Sequence, residues 1–320
     1  MPQPTMRDIH VDVPLTNISI AYTAELTDFI APKVAPIIPV NFQSNKYYIY
    51  DKAYWKTSQA KKRAPGTQSA GSGWSNSTAT YTCDEYGVHK DIPDQVRANA
   101  DPGIDLERDA ARWVTEQMYT IREEQWASSI FAASTWTGSS TGADITVGTT
   151  WDDDASTPIE DVETQRAAIK EKTGFFPNTM VVGYEVWSQL KNHPDLIDRI
   201  KHTQRGVLTE ELVAQLLGVE RFFVASATRN TAAEAATATM DFVFGKNALL
   251  MHVARSPALL TPSACYTFAW TGYTGASREG FSIDQWYMRE IKSQRVEGTI
   301  TFDMKVVAAD LGAYFASVVA

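Results

Sequence analysis

Two segments in the first third of the chain alternate aromatic or β-branched residues with polar ones, as β-strands do. They are residues 46–50 and 81–88, and both have the composition that favours strands. Residues 55–78 between them hold almost no aliphatic side chain and cannot build a core of their own. A connection this long is uncommon inside a compact domain and is usually functional when it is ordered. The pattern predicts a β-hairpin with a projecting tip that docks on a neighbouring molecule.

Residues 1–40, which precede the hairpin, consist of short apolar pieces separated by prolines. Pro14, Pro32, Pro36 and Pro39 exclude one long helix, because proline breaks the helix interior. We predict an arm with one short helix within residues 21–30.

A long amphipathic helix is predicted after the hairpin, from residue 105 to about residue 131. Asp105 is a suitable N-cap. Apolar residues recur at three- and four-residue steps, so that one apolar stripe faces away from a charged side. The stripe contains Leu106, Ala110, Trp113, Val114, Gln117, Met118 and Ile121, and the charged side contains Arg108, Arg112, Glu116, Arg122 and Glu123. We therefore predict a long helix that packs through its apolar stripe along one side of the protein.

Helix and strand patterns alternate in the second half of the chain. Thr157 and Glu160 have the spacing of a capping box before a helix at residues 158–173, which Gly174 ends. Residues 300–306 alternate apolar and polar side chains, which predicts a strand with one buried face. The remaining predictions are helices at 184–191, 195–201 and 210–217, and strands at 179–182, 221–225, 242–244 and 248–253. This order predicts a compact α/β unit in the middle of the chain.

Composition excludes several classes of protein. The 320 residues carry a formal net charge of −9, which argues against a chain-wide affinity for phosphate backbones. Cys83 and Cys265 stand apart, without the spacing of a disulfide framework or a zinc site. No apolar run approaches the ~20 residues that span a bilayer, and the N-terminus lacks the layout of a signal peptide. We expect a globular protein that is made and assembled in the cytoplasm.

The chain contains none of the common motifs of catalysis, phosphate binding or dinucleotide binding, so we predict that it is not an enzyme. Asp198 and His202 are four residues apart with His193 nearby, but an ion pair of Asp198 explains that group better than a metal. Residues 152–154 are three aspartates without the spaced ligands and glycine of a calcium loop. We predict no catalytic residue, no cofactor and no metal site.

Three stretches resemble the major capsid proteins of tailed phages, which have the Hong Kong 97-like fold. These stretches are residues 173–183, residues 190–194 together with 198–201, and residues 208–219. The resemblance covers the chain from about residue 40 to its end. It rests on the general character of the sequence more than on a fixed signature motif. It implies a mixed α+β fold in which an N-terminal arm, an extended β-hairpin loop, a spine helix, a peripheral domain and an axial α/β domain follow one another.

The resemblance also implies how the chain divides and what it builds. The implied parts are the N-terminal arm (1–40), the extended hairpin loop (41–93), the peripheral domain (94–157) with its spine helix (105–131), the axial domain (158–256), and a return through strands of the axial and peripheral domains (257–320). The implied function is that of a major capsid protein whose hexamers and pentamers form the icosahedral head shell around double-stranded DNA.

The partners implied are further copies of the chain, a portal, a decoration protein as an option, and packaged DNA contacted without sequence specificity. Because only about forty residues (1–40) precede the loop, we expect a separate scaffolding protein. We expect no membrane contact and a location in the virion capsid. Some relatives crosslink a loop lysine to an asparagine, but the other members of such a site are not identifiable, and we expect no crosslink.

We predict that charged and aromatic residues of the loop contact the spine helix of a neighbouring subunit. The residues concerned are Trp55, Lys56, Lys61, Lys62, Arg63 and Trp74 on the loop, and Glu116, Glu123 and Glu124 on the helix. Two alternatives remain open. One is the shell of an encapsulin-type nanocompartment. The other is a single-strand-binding protein that uses the tyrosines and lysines of the hairpin, although the acidity of the chain favours the capsid interpretation.

Overall fold

The computed structural model describes most of the chain from residue 28 onwards. The described residues are 28–50, 52–99, 105–200, 208–232, 237, 239–258, 261–272 and 277–320, without the side chains of residues 54, 55 and 200. The helix predicted within residues 21–30 therefore lies largely outside the described residues. Residues 28–30 are not helical, and a single turn at Ala31–Val34 follows them.

The helices of the described part agree with most of the predicted ones. They are α1 (Ala31–Val34), α2 (Lys52–Lys56), α3 (Asp94–Ala98), α4 (Leu106–Ser129), α5 (Pro158–Thr173), α6 (Tyr184–Leu190), α7 (Pro194–Ile200) and α8 (Glu210–Leu216). Asp105 caps α4, because its side chain accepts the N–H of Arg108. Thr157 makes no such bond, so the capping box predicted for α5 is wrong. Gly174 ends α5 in the left-handed conformation, as predicted.

Strands make up two larger sheets and two ribbons. They are β1 (Ile37–Val40), β2 (Ser44–Tyr50), β3 (Asn76–Thr82), β4 (Asp84–Pro93), β5 (Ile145–Thr146), β6 (Thr179–Gly183), β7 (Arg221–Ala225), β8 (Thr228–Asn230), β9 (Met240–Phe242), β10 (Ala248–Met251), β11 (Cys265–Trp270), β12 (Phe281–Met288), β13 (Ser293–Val306) and β14 (Gly312–Ala316). β2 pairs with β3, and β8 pairs with β9, each as an antiparallel ribbon.

The first sheet has the order β1-β11-β13-β12, and β4 pairs with the other side of β13. The long helix α4 packs on one face of this sheet. It comes so close to β13 that a β-carbon at Gly298 would collide with the side chain of Val114. Glycine at this position therefore sets the distance between the helix and the sheet.

The second sheet has the order β5-β14-β10-β6-β7, and helices α5 to α8 pack around it. Its core contains Trp151 and Phe315, whose ring centroids lie 5.5 Å apart. Strand β14 comes from the C-terminal end of the chain, whereas β6 and β10 come from its middle, so the chain returns to this sheet after building the first one. No helix in the described ranges is long and apolar enough to cross a membrane.

An aromatic cluster at the C-terminal end of α4 joins the two sheets. Trp126 lies 5.4 Å from Phe244, and Phe131 lies 5.5 Å from Tyr314, measured between ring centroids. Tyr314 belongs to β14 of the second sheet and Phe244 to the segment before β10, while Trp126 belongs to the helix that packs on the first sheet. The two sheets therefore share one hydrophobic core.

The buried side of α4 differs from the predicted stripe. Trp113 is 41% exposed and Gln117 is exposed, although both were assigned to the apolar stripe. Arg122 and Glu123, assigned to the charged side, are buried. The reason is that α4 is covered on two sides, by the first sheet and by residues 29–31 and 279, so its buried arc is wider than one stripe.

The predicted hairpin is present as the β2–β3 ribbon, with Ser44 opposite Thr82 and Tyr50 opposite Asn76. The bounds predicted for its returning strand, residues 81–88, were wrong. That stretch contains the end of β3 and the start of β4, which are separated by Cys83 alone. β3 pairs with β2, whereas β4 pairs with β13, so the chain changes partners at Cys83.

Candidate inter-subunit interface

The β2–β3 ribbon and the residues between its strands, here called the loop (residues 44–82), expose large aromatic side chains. Tyr48 is 67% exposed and Trp74 is 65% exposed, and every described side chain from 56 to 78 is exposed. A two-stranded ribbon is at best marginally stable in water without a surface to cover it. Exposed aromatic groups of this size mark interaction surfaces. The loop is therefore the strongest candidate for a contact with another molecule.

The base of the loop is fixed to the first sheet. The ring of Tyr81 stacks on that of Phe268 with centroids 4.5 Å apart and planes 9° apart, and the ring of Tyr47 lies 5.4 Å from the same phenylalanine. The N–H of Thr82 donates to Oδ2 of Asp303 at 2.9 Å. Aromatic stacking and a charge-assisted hydrogen bond thus hold the base, while the tip extends away from it.

The charge of the loop is opposite to that of the whole chain. Residues 44–82 contain six lysines and arginines and one acidic residue, Asp51, although the chain has a net charge of −9. Lys61, Lys62 and Arg63 are consecutive and exposed. The loop is therefore a basic projection on an acidic protein, and such a surface favours an acidic partner.

Two lysines at the beginning of the loop contact their own chain. The ammonium of Lys52 pairs with Asp310, and that of Lys56 lies 5.0 Å from the ring centroid of Phe175. The charge of Lys56 rests on an aromatic ring within the chain while the side chain stays exposed, and its contact with another subunit remains a prediction. The side chain of Trp55 lies outside the described part. Lys61, Lys62, Arg63 and Trp74 remain predictions for the contact.

The three glutamates predicted on the helix have different surroundings. Glu116 is exposed and accessible to a neighbour. Oε1 of Glu124 lies 3.6 Å from Nη1 of Arg229, so Glu124 already has a cation within its own chain. Glu123 is only 1% exposed, and the prediction that it contacts another subunit is wrong.

Glu123 holds the segment before β1 to the long helix. Its Oε1 accepts the N–H of Ile30 at 3.0 Å, and its Oε2 accepts the N–H of Ala31 at 2.9 Å. Burial raises the pKa of this carboxyl to about 7, although the two amides and the nearby cations Arg122 and Lys33 act in the opposite direction. Burial is the dominant effect because the side chain lies between α1 and α4.

The sequence patterns also did not reveal a partly buried charge cluster between α4 and Glu279. Nη1 of Arg122 donates to Oε2 of Glu279 at 2.8 Å, and the hydroxyl of Tyr119 donates to the same oxygen at 3.2 Å. The guanidinium of Arg122 also lies 4.5 Å from the ring centroid of Tyr119. An arginine at the edge of an apolar stripe was the only available signal, because its partner is 157 residues away in the sequence.

No group of histidine, cysteine and acidic residues within the described ranges has the arrangement of a metal site. His193 is buried and structural: its Nε2 lies 2.9 Å from Oγ of Ser156, and its Nδ1 accepts the N–H of Asp195 at 3.1 Å. His202 lies outside the described residues. Burial raises the pKa of the Cys83 thiol and of the Cys265 thiol to about 12, so neither forms a thiolate near neutral pH.

Comparisons of the sequence identify relatives that have one function in common. The profile of the family described as phage major capsid protein E matches residues 138–246. The major capsid protein of Burkholderia phage BcepMu is 25% identical over 217 residues, which are 68% of this chain and 69% of that protein. The major capsid protein of Pseudomonas phage JBD67 is 25% identical over 318 residues, which are 97% of each chain.

Comparisons of the structure identify the fold. A phage-related protein from Bordetella bronchiseptica superposes with a TM-score of 0.72 at 22% identity, over 97% of this chain and 98% of that chain. The capsid of cyanophage P-SCSP1u gives 0.58 at 13% identity, over 88% and 85%. The SrpI encapsulin from Synechococcus elongatus gives 0.54 at 11% identity, over 92% and 89%. The chain therefore has the Hong Kong 97-like fold that its sequence resembles.

Proposed function

We propose that this chain, a major capsid protein of a tailed phage, assembles with copies of itself into hexamers and pentamers of the icosahedral head shell around double-stranded DNA. The observation that carries this proposal is the exposed loop, in which Tyr48 is 67% exposed and the basic residues Lys61, Lys62 and Arg63 are exposed at the tip. Relatives that align over two thirds or more of the chain are major capsid proteins, which supports the same function.

The parts of the fold take the following roles in the proposal. Residues 1–40 form the N-terminal arm, residues 41–93 the extended loop, and residues 94–157 the peripheral domain with α4 as its spine. Residues 158–256 form the axial domain, and residues 257–320 return through strands of both domains. The loop lies across an adjacent subunit, and many modest contacts of this kind make the shell stable through multivalency.

The function is structural, and we propose that the chain carries no catalytic residue. It resides in the virion capsid. We propose further that it assembles in the host cytoplasm with a separate scaffolding protein and a portal, with a decoration protein as an optional partner. Its contact with packaged DNA is non-specific, which suits a chain with a net charge of −9.

An encapsulin-type compartment is the second candidate, because an encapsulin shares the fold over most of its length. The same fold can enclose either a genome or protein cargo, so the contents of the shell distinguish the two candidates. A single-strand-binding protein that uses the loop is the third candidate, and it requires no shell at all.

Negative-stain electron microscopy of particles from the native source, combined with extraction of nuclease-protected nucleic acid, tests the proposal. We expect uniform shells that protect double-stranded DNA. Shells that contain protein cargo and no genome would favour the nanocompartment. Subunits that never assemble, but bind single strands tightly through the loop, would refute the capsid function.

A further inference from the structure

The first sheet has one face that α4 does not cover. Val296 and Ile300 of β13 point towards α4 and the core, so the alternating residues of β13 and its neighbours point to the opposite side. We call the upper part of that side the open face. It consists of Asp284 and Trp286 on β12, Arg295 and Glu297 on β13, and Glu85, His89 and Asp91 on β4. All seven side chains are partly or fully exposed.

The register places two carboxylates directly beside each other on the open face. Glu297 is opposite Asp284 on one side and opposite His89 on the other. Asp91 binds Arg295, the arginine of this face, through two hydrogen bonds of 2.7 and 2.8 Å, which raise the pKa of Arg295, and the charge of Glu297 acts in the same direction. In the described part of the chain, no lysine or arginine lies within ion-pair distance of Asp284 or Glu297.

This pairing of like charges is unfavourable for the isolated subunit. Carboxylates that face each other across adjacent strands repel, and such pairs are destabilising. Burial and the neighbouring Glu297 both raise the pKa of the Asp284 carboxyl. A cation from outside the subunit would remove the repulsion, so the open face has the electrostatic character of a surface that a basic group covers.

The same chain carries a matching basic group at the end of its loop. Lys61, Lys62 and Arg63 are exposed, and no acidic residue occurs between residues 52 and 83. The seven paired residues of each strand extend the ribbon by roughly 24 Å from its base. The ribbon therefore separates the basic residues from the base of the loop, while Lys52 and Lys56 at its far end contact Asp310 and Phe175 of the same chain.

We propose that the loop tip of one copy docks, through Lys61, Lys62 and Arg63, on the open face of a neighbouring copy at Asp284 and Glu297. This inference rests on the proposed function and specifies the partner surface of the loop. The contact joins two different surfaces of the same chain, so it is heterologous, and it forms a ring where the rotation between copies closes. It replaces Glu123 and Glu124, whose carboxylates have partners in their own chain.

A charge-exchange experiment tests the contact. One variant of the full chain combines Asp284→Lys with Glu297→Lys, and a second combines Lys61→Glu, Lys62→Glu and Arg63→Glu. We expect each to lower the yield of sedimenting particles by about tenfold, because the loss is repeated at every subunit border. The chain that carries all five substitutions should recover most of the yield. Glu171→Lys, an exposed charge change on α5, is the matched control and should assemble normally.

A disulfide experiment tests the same contact without relying on yield. The variant Lys62→Cys with Glu297→Cys should form a ladder of covalent multimers when assembled particles are oxidised mildly, because each cysteine meets its counterpart on a neighbour. The chain's own thiols, Cys83 and Cys265, are buried and do not compete. Lys62→Cys with Glu171→Cys should stay monomeric under the same conditions.

Failure of this inference and failure of the proposed function give different results. If the unchanged chain builds shells but the five-substitution chain is not rescued and the disulfide variant yields monomers only, the docking site is wrong and the capsid function stands. If the reversed tip leaves assembly intact but abolishes binding of a single-stranded oligonucleotide, the tip serves nucleic acid and the inference is also overturned. If the unchanged chain never forms particles, both proposals fail.

Discussion

Glu123 and Ala31 are joined by a hydrogen bond that links the segment before β1 to the middle of the long helix. Oε2 of Glu123 accepts the N–H of Ala31 at 2.9 Å, and Oε1 accepts the N–H of Ile30 in parallel. Two backbone donors at the start of α1 therefore depend on one buried carboxylate that lies more than ninety residues further along the chain.

The titration of Glu123 predicts a specific dependence of stability on pH. Its pKa is raised from 4.5 to about 7, so the folded subunit holds this proton more tightly than the unfolded chain does. The resulting stabilisation is fully present below about pH 4.5 and is lost as the pH rises through about 7. The contribution is on the order of 3 kcal/mol, since each unit of pKa corresponds to about 1.4 kcal/mol.

Denaturant unfolding of the subunit between pH 5 and pH 8 measures this effect. The unfolding free energy of the unchanged chain should decrease between about pH 5 and 8. In Glu123→Gln this decrease should be absent. Glu116→Gln, on the exposed side of the same helix, should keep it. Equal pH profiles for the unchanged chain and Glu123→Gln would show that Glu123 is not the group with the raised pKa.

Gly298 sets the distance between α4 and the first sheet, and its replacement should be costly. In Gly298→Ala the new methyl group collides with Val114, and overpacking of this kind costs about 1–3 kcal/mol of unfolding free energy. Gly87→Ala is the matched control. Gly87 lies opposite Thr299 on the neighbouring strand, where a β-carbon would have ordinary contacts of 3.7 Å or more. Similar losses in both variants would contradict the close approach of α4 to Gly298.

The stacked pair of Tyr81 and Phe268 holds the base of the loop. Phe268→Ala removes the ring that both Tyr81 and Tyr47 contact, and we expect a loss of about 3–5 kcal/mol together with faster proteolysis within residues 57–75. Tyr48→Ala changes an exposed tyrosine of the same ribbon. It should leave the unfolding free energy of the subunit within about 0.5 kcal/mol and lower particle yield. If Phe268→Ala leaves proteolysis of the loop unchanged, the stack does not fix the loop.

Two side chains that occupy equivalent positions before helices should respond differently to truncation. Asp105→Ala should cost about 1 kcal/mol, because Asp105 caps α4 by accepting the N–H of Arg108 at 3.1 Å. Thr157→Ala should cost less, because the side chain of Thr157 makes no cap bond at α5. Thermal unfolding of the two variants measures the difference, and a larger loss for Thr157→Ala would contradict it.

Elements that depend on local patterns were predictable from the sequence. The ends of α4 and α5 follow from Asp105 and Gly174, which act on their own helices within a few residues. Strand β7 was predicted with the bounds that the structure shows, because it is a short apolar run between a glycine and a polar loop. Such signals do not depend on which part of the chain packs against them.

Elements that depend on distant partners were missed or misassigned. Residues 265–270, strand β11, are buried on both faces, so they show no alternation that would reveal a strand. Residues 81–88 have one continuous strand-like composition, and only pairing with β2 or with β13 shows where β3 ends. Glu123 and Glu124 are adjacent acidic residues in the sequence, and the covering of α4 by residues 30 and 31 decides which of them is buried.

The change of partners at Cys83 has a mechanical consequence for a closed shell. Gln43 and Cys83 are clasped at the root of the ribbon: the N–H of Cys83 donates to the carbonyl of Gln43 at 2.8 Å, and Nε2 of Gln43 donates to the carbonyl of Cys83 at 3.2 Å. The ribbon beyond this clasp is joined to the sheet by two short connections, Cys83 on one strand and residues 41–43 on the other. Rings of five and rings of six require one sequence to reach its neighbour at two angles. Small torsional changes in Cys83 and in residues 41–43 together would provide both angles while every strand keeps its register, and the stack of Tyr81 on Phe268 limits their size.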